Sequence, residues 1–293
     1  MMNICAGIVT YNPDIEELLS LIASIKKECT FLTLVDNSSS NRETIIFRIK
    51  EHPEVHLISN DKNMGIATGI NQVIDYAKRN DADFIIPFDQ DSKPEEGMIT
   101  KLFHDFNKAN SQQKDIAAIG PQHSDKQTNR KAPFIRFGFP TNKRIFSNKN
   151  NITECDFLIS SGCLIPIKII EEVGQMRDSL FIDNVDLDWC FRAKHKGYRL
   201  LGSFNAKMIH SIGENSYLIP FANISIRMHS PIRIYYMTRN RLDLYSKPYT
   251  PTLWILQDMP RFILKSLYLA IFSSERVNYV KMIWKGISLN YYK

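Results

Sequence analysis

The sequence is poor in cysteine and has no long apolar run. Its five cysteines are scattered over 293 residues and form no C-x-x-C pair. This pattern excludes a disulfide framework and the ligand spacing of a zinc site, and it predicts reduced thiols in the cytoplasm. No apolar stretch approaches the roughly 20 residues that span a bilayer. The N-terminus also lacks the basic and apolar segments of a signal peptide, so we do not expect an integral membrane protein.

Three nucleotide-binding signatures are missing as well. The glycines near residue 65 form neither a P-loop nor a dinucleotide fingerprint. The glycine-rich, basic N-terminal loop expected of a sugar-1-phosphate nucleotidyltransferase is absent too. The chain is 44% hydrophobic, which suffices for the core of one large domain or of two closely joined halves.

Apolar runs with polar ends alternate with segments of helical periodicity over the first hundred residues. This alternation is typical of a nucleotide-binding α/β fold with a largely parallel sheet. The predicted helices cover Asp14–Lys27 and Gly65–Arg79. The predicted strands cover Asn3–Asn12, Phe31–Ser39, His56–Ser59 and Phe84–Phe88.

Two aspartates stand at the end of the run Phe84–Phe88. Asp89 and Asp91 lie at the carboxyl end of a predicted buried strand, where open α/β sheets bind their ligands. Carboxylates are the hard oxygen ligands that Mg²⁺ and Mn²⁺ accept, so the pair predicts a metal-dependent transferase that uses a sugar nucleotide. We expect Asp91 to coordinate the metal, and Asp89 to lie nearer the ribose or a metal-bound water. A solvated acidic turn is the alternative.

Polar residues also end the first two predicted strands. Thr10, Tyr11 and Asn12 follow the first strand, and Asp36 and Asn37 follow the second. Because parallel strands end at a common edge, we expect these side chains to converge around a base and a ribose. Asp36 would accept a hydrogen bond from a pyrimidine N3–H. Taken one by one, these residues are also common in turns and caps.

Eight motifs occur in an order that carries a family resemblance. They are VTYNPD (9–14), VDNSS (35–39), NMGIATGIN (63–71), FDQDS (88–92), FLISSG (157–162), LFIDNVDLDWCFRAKHKGYRL (180–200), HSIGE (210–214) and HSPIRIYYMTRNRLDLY (229–245). In this order the chain resembles the bacterial rhamnosyltransferases of glycosyltransferase family 2 from residue 3 to about residue 250. The resemblance implies the GT-A fold, an α/β fold with a Rossmann-like mixed sheet flanked by helices, here with a C-terminal helical extension.

The resemblance also implies residue roles in the second half of the chain. Aligning the CFR motif places Asp186 on the catalytic base of the family. The resemblance also implies that His210 is a third metal ligand, which would favour Mn²⁺ modestly over Mg²⁺. A structural role at a strand end is the alternative for His210. Asp183 and Asp188 either support Asp186 or cap the helix that it opens. The chain departs from the family motif at Val185, where an acidic residue is expected.

Two further segments resemble parts of the family site. Ser161 and Gly162, which follow a predicted strand at Phe157–Ile159, resemble the turn on the acceptor side. Gly65 would allow close backbone approach at a helix start. The segment that resembles the next part of the nucleotide site contains Asn63, Gly65 and Asn71.

The chain is predicted to contain two domains. Residues 1–226 would form the catalytic domain, with a nucleotide-binding half (1–100) and a metal and acceptor half (101–226), and residues 227–293 would form a helical extension. The polar stretch 125–153 predicts a mobile loop over the site, in which FIRFGF forms a strand. Such a loop would exclude water from a reactive donor.

Positive charge and aromatic rings concentrate in residues 227–293. Eleven Lys or Arg against three Asp or Glu give this segment +8, so the total of +6 leaves −2 for the rest. It also holds twelve of the 32 aromatic residues. This composition predicts a peripheral protein on an anionic membrane surface, at the inner face of the cell membrane. No other segment resembles a nucleic-acid module, so we do not expect a nucleic-acid partner. Packing of the rings on the catalytic core is the alternative.

These features predict an inverting glycosyltransferase that acts by single displacement. The donor would be dTDP-L-rhamnose, and the acceptor a cell-surface polysaccharide or a lipid-linked oligosaccharide. One alternative is a family 2 transferase that uses another nucleotide sugar, such as a hexose on uridine diphosphate. A non-catalytic scaffold that binds sugar nucleotides is the other. The oligomeric state is left open.

Overall fold

The chain divides into two compact units in the computed structural model. The model describes residues 3–111, 115–125, 130–147, 149, 151–210, 216–218, 225–227 and 229–291. The first unit comprises Met1–Arg136, Lys143–Phe181 and Val185–Ser211, and the second comprises Phe137–Asn142, Ile182–Asn184 and Ile212–Lys293. The boundary predicted at residue 226 stays a prediction.

The first unit alternates strands and helices. Its elements are β1 (Ile4–Thr10), α1 (Ile15–Ile25), β2 (Phe31–Asp36), α2 (Arg42–Ile49), β3 (Val55–Ser59), α3 (Gly65–Arg79), β4 (Phe84–Asp89), β5 (Lys93–Pro94), α4 (Met98–Asn110), β6 (Ile116–Asp125), β7 (Phe134–Arg136), β8 (Lys143–Ile145), β9 (Ile152–Cys155), β10 (Ile165–Pro166), α5 (Ile167–Val173), a 3-10 turn (Asp178–Leu180), α6 (Val185–His195) and β11 (Arg199–His210). The predicted α/β class is confirmed.

A five-stranded sheet forms the centre of this unit. Its strand order is β10-β4-β1-β2-β3, with β10 antiparallel and the other neighbours parallel. A second sheet has the order β5-β11-β6, and β9 also pairs with β11. The buried strands β1 and β4 read as near-continuous apolar runs because helices and loops cover both faces of the sheet.

The first helices form where the sequence predicts them. Asp14 caps α1 by accepting a hydrogen bond from the Glu17 N–H at 3.0 Å, and the apolar side of the helix, including Leu18 and Ile22, is fully buried. The third helix has the predicted bounds, Gly65–Arg79. By contrast, α2 lies in a stretch for which we predicted no structure.

One predicted strand is wrong, and another is shorter than expected. Residues 157–159 are irregular, and β9 ends before them at Cys155. The Leu158 N–H and C=O bond to the Cys190 thiol, at 3.4 and 3.7 Å, in place of a neighbouring strand. Within FIRFGF only Phe134–Arg136 is extended, and it pairs with β8. Residues 126–129, 148 and 150 of the predicted loop lie outside the described residues.

The second unit consists mainly of helices, as predicted for the C-terminal extension. Its elements are β12 (Ser216–Leu218), β13 (Ser225–Arg227), α7 (Pro231–Tyr245), α8 (Thr252–Phe272) and α9 (Arg276–Tyr291). A small core of Ile234, Leu269 and Tyr279 joins the three helices. Over the residues described, none of the helices is both long enough and apolar enough to cross a bilayer.

Candidate active site

The register of the parallel strands brings the predicted site residues to one edge of the sheet. Thr10 of β1 lies opposite Asp36 of β2, and Val9 lies opposite Asp89 of β4. The three strands therefore end side by side, and the polar segments that follow them leave the sheet at the same place. This edge is where ligands bind in open α/β sheets.

Asp36 is a fully buried carboxylate at this edge. It accepts hydrogen bonds from the Ser39 hydroxyl, from the Ser39 N–H at 3.2 and 3.3 Å, and from Thr10 Oγ1 at 3.4 Å. Within the described part of the chain, Oδ2 accepts only the N–H that it shares with Oδ1. Oδ2 therefore retains acceptor capacity within the described part of the chain.

Tyr11 and Asn12 form the turn that follows β1. The Tyr11 N–H donates to Gln90 Oε1 at 2.8 Å, which ties this turn to the end of β4, and the Tyr11 ring is 50% exposed. Asn12 has a φ of 51°. Its Oδ1 accepts the Ser40 N–H at 2.7 Å, so this amide oxygen holds the loop after β2. Tyr11 therefore offers an aromatic face, while Asn12 positions the backbone.

Asn37 and Asn63 join the end of β2 to the start of α3. The Asn37 side chain is buried and donates to the Gly65 carbonyl at 3.2 Å, while its Oδ1 accepts from Asn60 Nδ2 at 2.9 Å. Asn63 Oδ1 accepts the Gly65 N–H at 2.9 Å. Both predicted nucleotide residues are thus committed to holding this turn.

Gly65 permits a close approach, as expected, but its neighbour is Phe181. Gly65 has a φ of +83°, and a Cβ there would lie 2.5 Å from the Phe181 carbonyl oxygen. That oxygen accepts the N–H groups of Ile66, at 2.7 Å, and Ala67, at 3.4 Å. Phe181, which sequence reasoning missed, therefore caps α3 and satisfies N–H groups at its start.

The Asn71 side chain forms hydrogen bonds to a segment of the first unit that is distant in the sequence. Its Nδ2 donates to the Met176 carbonyl and to Asp178 Oδ1, both at 2.8 Å, and its Oδ1 accepts the Met176 N–H at 2.9 Å. Thr68 Oγ1 donates to the same oxygen of Asp178 at 2.8 Å. The side chain that we predicted to contact the nucleotide thus anchors the segment before the 3-10 turn.

Ser161 and Gly162 pack against the end of β4. The Asp89 N–H donates to Ser161 Oγ at 3.0 Å, and the hydroxyls of Ser161 and Ser92 are 2.8 Å apart. The Gly162 N–H donates to the Pro87 carbonyl at 2.7 Å, and Gly162 has a φ of +76°. The turn that resembles an acceptor floor therefore also holds the backbone that carries Asp89 and Asp91.

The carboxylates of Asp89 and Asp91 fit a hard divalent cation. Both side chains are partly exposed at the end of β4. His210 closes β11, but its side chain lies outside the part that the structure describes. The described residues include no group of three His, Cys, Asp or Glu arranged to hold a metal ion. Two carboxylates are sufficient where phosphate oxygens and waters complete the shell, as is usual for Mg²⁺.

Asp186 lies in the first turn of α6, as predicted. It lines a small cavity together with Met176, Trp189 and the two thiols Cys163 and Cys190. Burial raises the pKa of Cys190 to about 12 and raises the pKa of Cys163 well above the usual range of a thiol. The thiols beside Asp186 are therefore neutral at physiological pH.

Asp188 forms two ion pairs in a buried network. It has no exposed surface, and its two oxygens accept from Arg177 Nη1 at 2.8 Å and from Arg192 Nε at 2.9 Å. Arg192 also donates to the carbonyls of Val173, at 2.9 Å, and Gln175, at 2.8 Å. Asp188 therefore fixes the start of α6 against the segment that precedes it.

Asp183 belongs to the second unit, where α7 holds it. Arg233 Nε lies 3.0 Å from Asp183 Oδ2, and Arg233 Nη2 donates to Oδ1 at 3.1 Å. The buried Asn240 side chain donates to the carbonyls of Ile182, at 2.7 Å, and Asp183, at 2.9 Å. Asp183 and Asn184 have φ values of 63° and 62°. Sequence reasoning missed both Arg233 and Asn240.

Comparisons with known proteins show the family of this chain. The model of the family "Glycosyl transferase family 2" matches residues 5–174, more than half of the chain. The chain belongs to glycosyltransferase family 2. It is 31% identical over 285 residues to the dTDP-rhamnosyl transferase RfbF of Shigella flexneri, covering 95% of this chain and 92% of that protein. The predicted resemblance to family 2 rhamnosyltransferases is thereby confirmed.

A solved structure supports the GT-A fold of this glycosyltransferase. The structure of GalNAc-T7 with UDP, GalNAc and Mn²⁺ superposes with a TM-score of 0.62 at 12% identity. The alignment covers 99% of this chain, which spans only 58% of that longer chain. At this identity the likeness concerns the fold alone.

The contact between Gly65 and Phe181 predicts a specific stability loss in the glycosyltransferase. Gly197 also has a positive φ, +90°, but nothing lies within 4 Å of a Cβ placed there. Gly197→Ala should therefore cost only backbone strain, about 1–2 kcal/mol. Gly65→Ala should cost ~1–3 kcal/mol more, because the added methyl meets the Phe181 carbonyl. Urea unfolding of both variants measures the difference, and equal losses would contradict the close contact between residue 65 and the Phe181 carbonyl.

Proposed function

We propose that this family 2 enzyme transfers L-rhamnose from dTDP-L-rhamnose to a glycan acceptor, with inversion and by single displacement. The observation that carries the donor assignment is the 31% identity to a dTDP-rhamnosyl transferase over nearly the full length of both chains. The carboxylates that gather at the ends of β2 and β4 support the chemistry, since they supply a base-reading group and a cation site at one edge.

The nucleotide would bind at the ends of β1 and β2. Asp36 accepts the N3–H of thymine, because Oδ2 retains acceptor capacity within an otherwise satisfied network. The half-exposed ring of Tyr11 stacks on the base, and Asp89 binds the ribose. Thr10, Asn12, Asn37, Asn63 and Asn71 act by positioning these groups, as their hydrogen bonds within the protein indicate.

Asp91 and Asp89 would hold the divalent cation, Mn²⁺ or Mg²⁺, with His210 as a further ligand. When bound, the cation neutralises charge on the leaving diphosphate as a Lewis acid. The protein orients this site through Ser161, whose hydroxyl fixes the Asp89 backbone at 3.0 Å. A rigid strand end limits the movement of both carboxylates while the substrate binds.

Asp186 would act as the general base. The acceptor hydroxyl oxygen forms a bond to the anomeric carbon, the bond from that carbon to the diphosphate oxygen breaks, and the hydroxyl proton passes to Asp186. The ion pairs of Asp188 with Arg177 and Arg192 hold the first turn of α6 in place. Asp183, which forms an ion pair with Arg233, would support the backbone that precedes α6.

The acceptor is a growing surface polysaccharide or a lipid-linked oligosaccharide. Ser161 and Gly162 would form its floor, on the turn that packs against β4. Residues 1–226 would form the catalytic domain, with the nucleotide half at 1–100 and the metal and acceptor half at 101–226. Residues 227–293 would serve as an accessory extension.

A panel of sugar nucleotides tests the donor assignment. Release of nucleoside diphosphate should be fastest with dTDP-L-rhamnose in the presence of Mn²⁺ and a glycan or lipid-linked oligosaccharide acceptor. UDP-hexoses should react more slowly, because the relative that is 31% identical to this chain is a dTDP-rhamnosyl transferase. Turnover of a UDP-sugar but not of dTDP-L-rhamnose would overturn the assignment. No turnover with any donor would favour a binding scaffold.

Substitution of Asp186 should lower turnover, whereas substitution of Asp188 should lower stability. Asp186→Asn should lower turnover by roughly 10² to 10⁴ with unchanged donor affinity, because the amide cannot accept the proton. Asp188→Asn should instead lower the free energy of unfolding by about 3 kcal/mol, because Arg177 and Arg192 lose their buried counter-charge.

Steady-state kinetics, donor titration and urea unfolding separate these two effects. Glu54→Gln is the control, since its ion pair with Lys26 is exposed and worth less than about 1 kcal/mol. A stable, inactive Asp188→Asn enzyme with normal donor affinity would move the base from residue 186 to residue 188.

A further inference from the structure

Helix α8 leaves an apolar face uncovered in the second unit. Leu256, Ile263, Leu267 and Ile271 recur at intervals of seven, four and four residues and therefore share one side of the helix. Each is between 49% and 59% exposed. Leu264, at the flank of this side, is 66% exposed. We call these five residues the α8 stripe. Soluble surfaces rarely expose a contiguous apolar patch of this kind without a partner.

The opposite side of α8 packs within the second unit. Trp254 and Leu269 are buried there. Asp258 is the one acidic residue of the helix, and it pairs with Arg241 at 2.5 Å and accepts from the Tyr245 hydroxyl at 2.6 Å. The acidic charge of α8 is therefore neutralised inside the unit and does not oppose an anionic partner of the α8 stripe.

Helix α9 adds exposed apolar and basic groups. Val277, Val280 and Trp284 are between 48% and 75% exposed and recur at helical spacing. Arg276 and Lys281 are exposed on the same helix, and Arg261 is exposed on α8. An aromatic ring among aliphatic and basic side chains is the composition of helices that lie in the interface of a membrane.

The distribution of charge favours a lipid surface, and not a second copy of the chain, as the partner of this face. Residues 227–293 carry eleven basic and three acidic residues, a net charge of +8. Two copies that met through this face would bring like charges together, whereas anionic headgroups would neutralise them. The apolar α8 stripe supplies the contact with acyl chains that charge alone does not.

We propose that the α8 stripe and the exposed side of α9 dock on an anionic phospholipid surface. This goes beyond the predicted role of aromatic rings, because Trp254, Tyr235 and Tyr279 are buried in the unit and only part of the ring set, including Trp284, reaches the surface. Aliphatic side chains of α8, which the sequence reading did not single out, make the apolar contact. The proposal does not depend on the donor sugar.

Vesicle co-sedimentation of the full chain tests the proposal. The protein should bind phosphatidylcholine vesicles that contain phosphatidylglycerol more tightly than vesicles of phosphatidylcholine alone. Binding should weaken from low to physiological salt, because counterions screen the basic residues. Equal binding to both vesicles at all salt concentrations, or binding to neither, would overturn the proposal.

Two triple variants separate the electrostatic and apolar parts. Each basic residue near an anionic surface strengthens binding by about fivefold, so Arg261→Gln, Arg276→Gln and Lys281→Gln together should weaken it by roughly 100-fold at low salt. Leu256→Ser, Leu264→Ser and Leu267→Ser together should weaken binding by roughly tenfold or more and leave its salt dependence in place.

A matched control comes from the first unit. Phe47 on α2 is 65% exposed, so Phe47→Ser removes comparable apolar surface away from the proposed face. Its vesicle affinity should equal that of the wild type, and all variants should bind thymidine diphosphate and melt as the wild type does.

Light scattering tests the alternative that the α8 stripe joins two copies of the chain. If the wild type is a dimer that ignores vesicles and the leucine variant is a monomer, the α8 stripe is a homodimer interface and the proposal fails.

Discussion

The parallel pairing of β2, β1 and β4 is the constraint on which the candidate active site depends. It places Asp36 opposite Thr10 and Asp89 opposite Val9, so that polar segments from three separate parts of the chain leave the sheet at one edge. A shift of one residue in either pairing would turn the carboxylates toward the opposite face of the sheet. The apolar runs of β1 and β4, which are buried on both sides, oppose such a shift because it would disrupt their packing.

A second set of contacts holds the loops near the proposed site. Asn71 clamps the segment at Met176, the Phe181 carbonyl caps α3, and Asp188 ties Arg177 to α6. The backbone between these anchors adopts positive φ at Phe181, Asp183 and Asn184, conformations that non-glycine residues rarely adopt unless their surroundings hold them. Under the proposed function, many polar side chains of this region would position a few reacting groups, as preorganised catalytic sites require.

Local patterns in the sequence were sufficient for the elements that depend on local physics. The apolar periodicity of α3 gave its bounds, and the Asp14 cap marked the start of α1. Partners that are distant in the chain could not be predicted in this way. Phe181 caps a helix that begins 116 residues earlier at Gly65, and the thiol of Cys190 replaces a strand partner at Leu158, where a strand was expected. Such contacts exist only once the fold brings the segments together, so the roles of Asn71 and Ser161 needed the structure.

The proposed function requires that the shared edge of β1, β2 and β4 binds the nucleoside diphosphate with a cation held by Asp91. Calorimetric titration of thymidine diphosphate into the wild type and Asp91→Asn, each with and without Mn²⁺, tests it most directly. Mn²⁺ should tighten binding to the wild type, and the variant should keep the metal-free affinity while losing this gain, because one charged oxygen ligand is gone. A variant whose affinity rises with Mn²⁺ as much as that of the wild type would contradict the assignment of the cation to this edge.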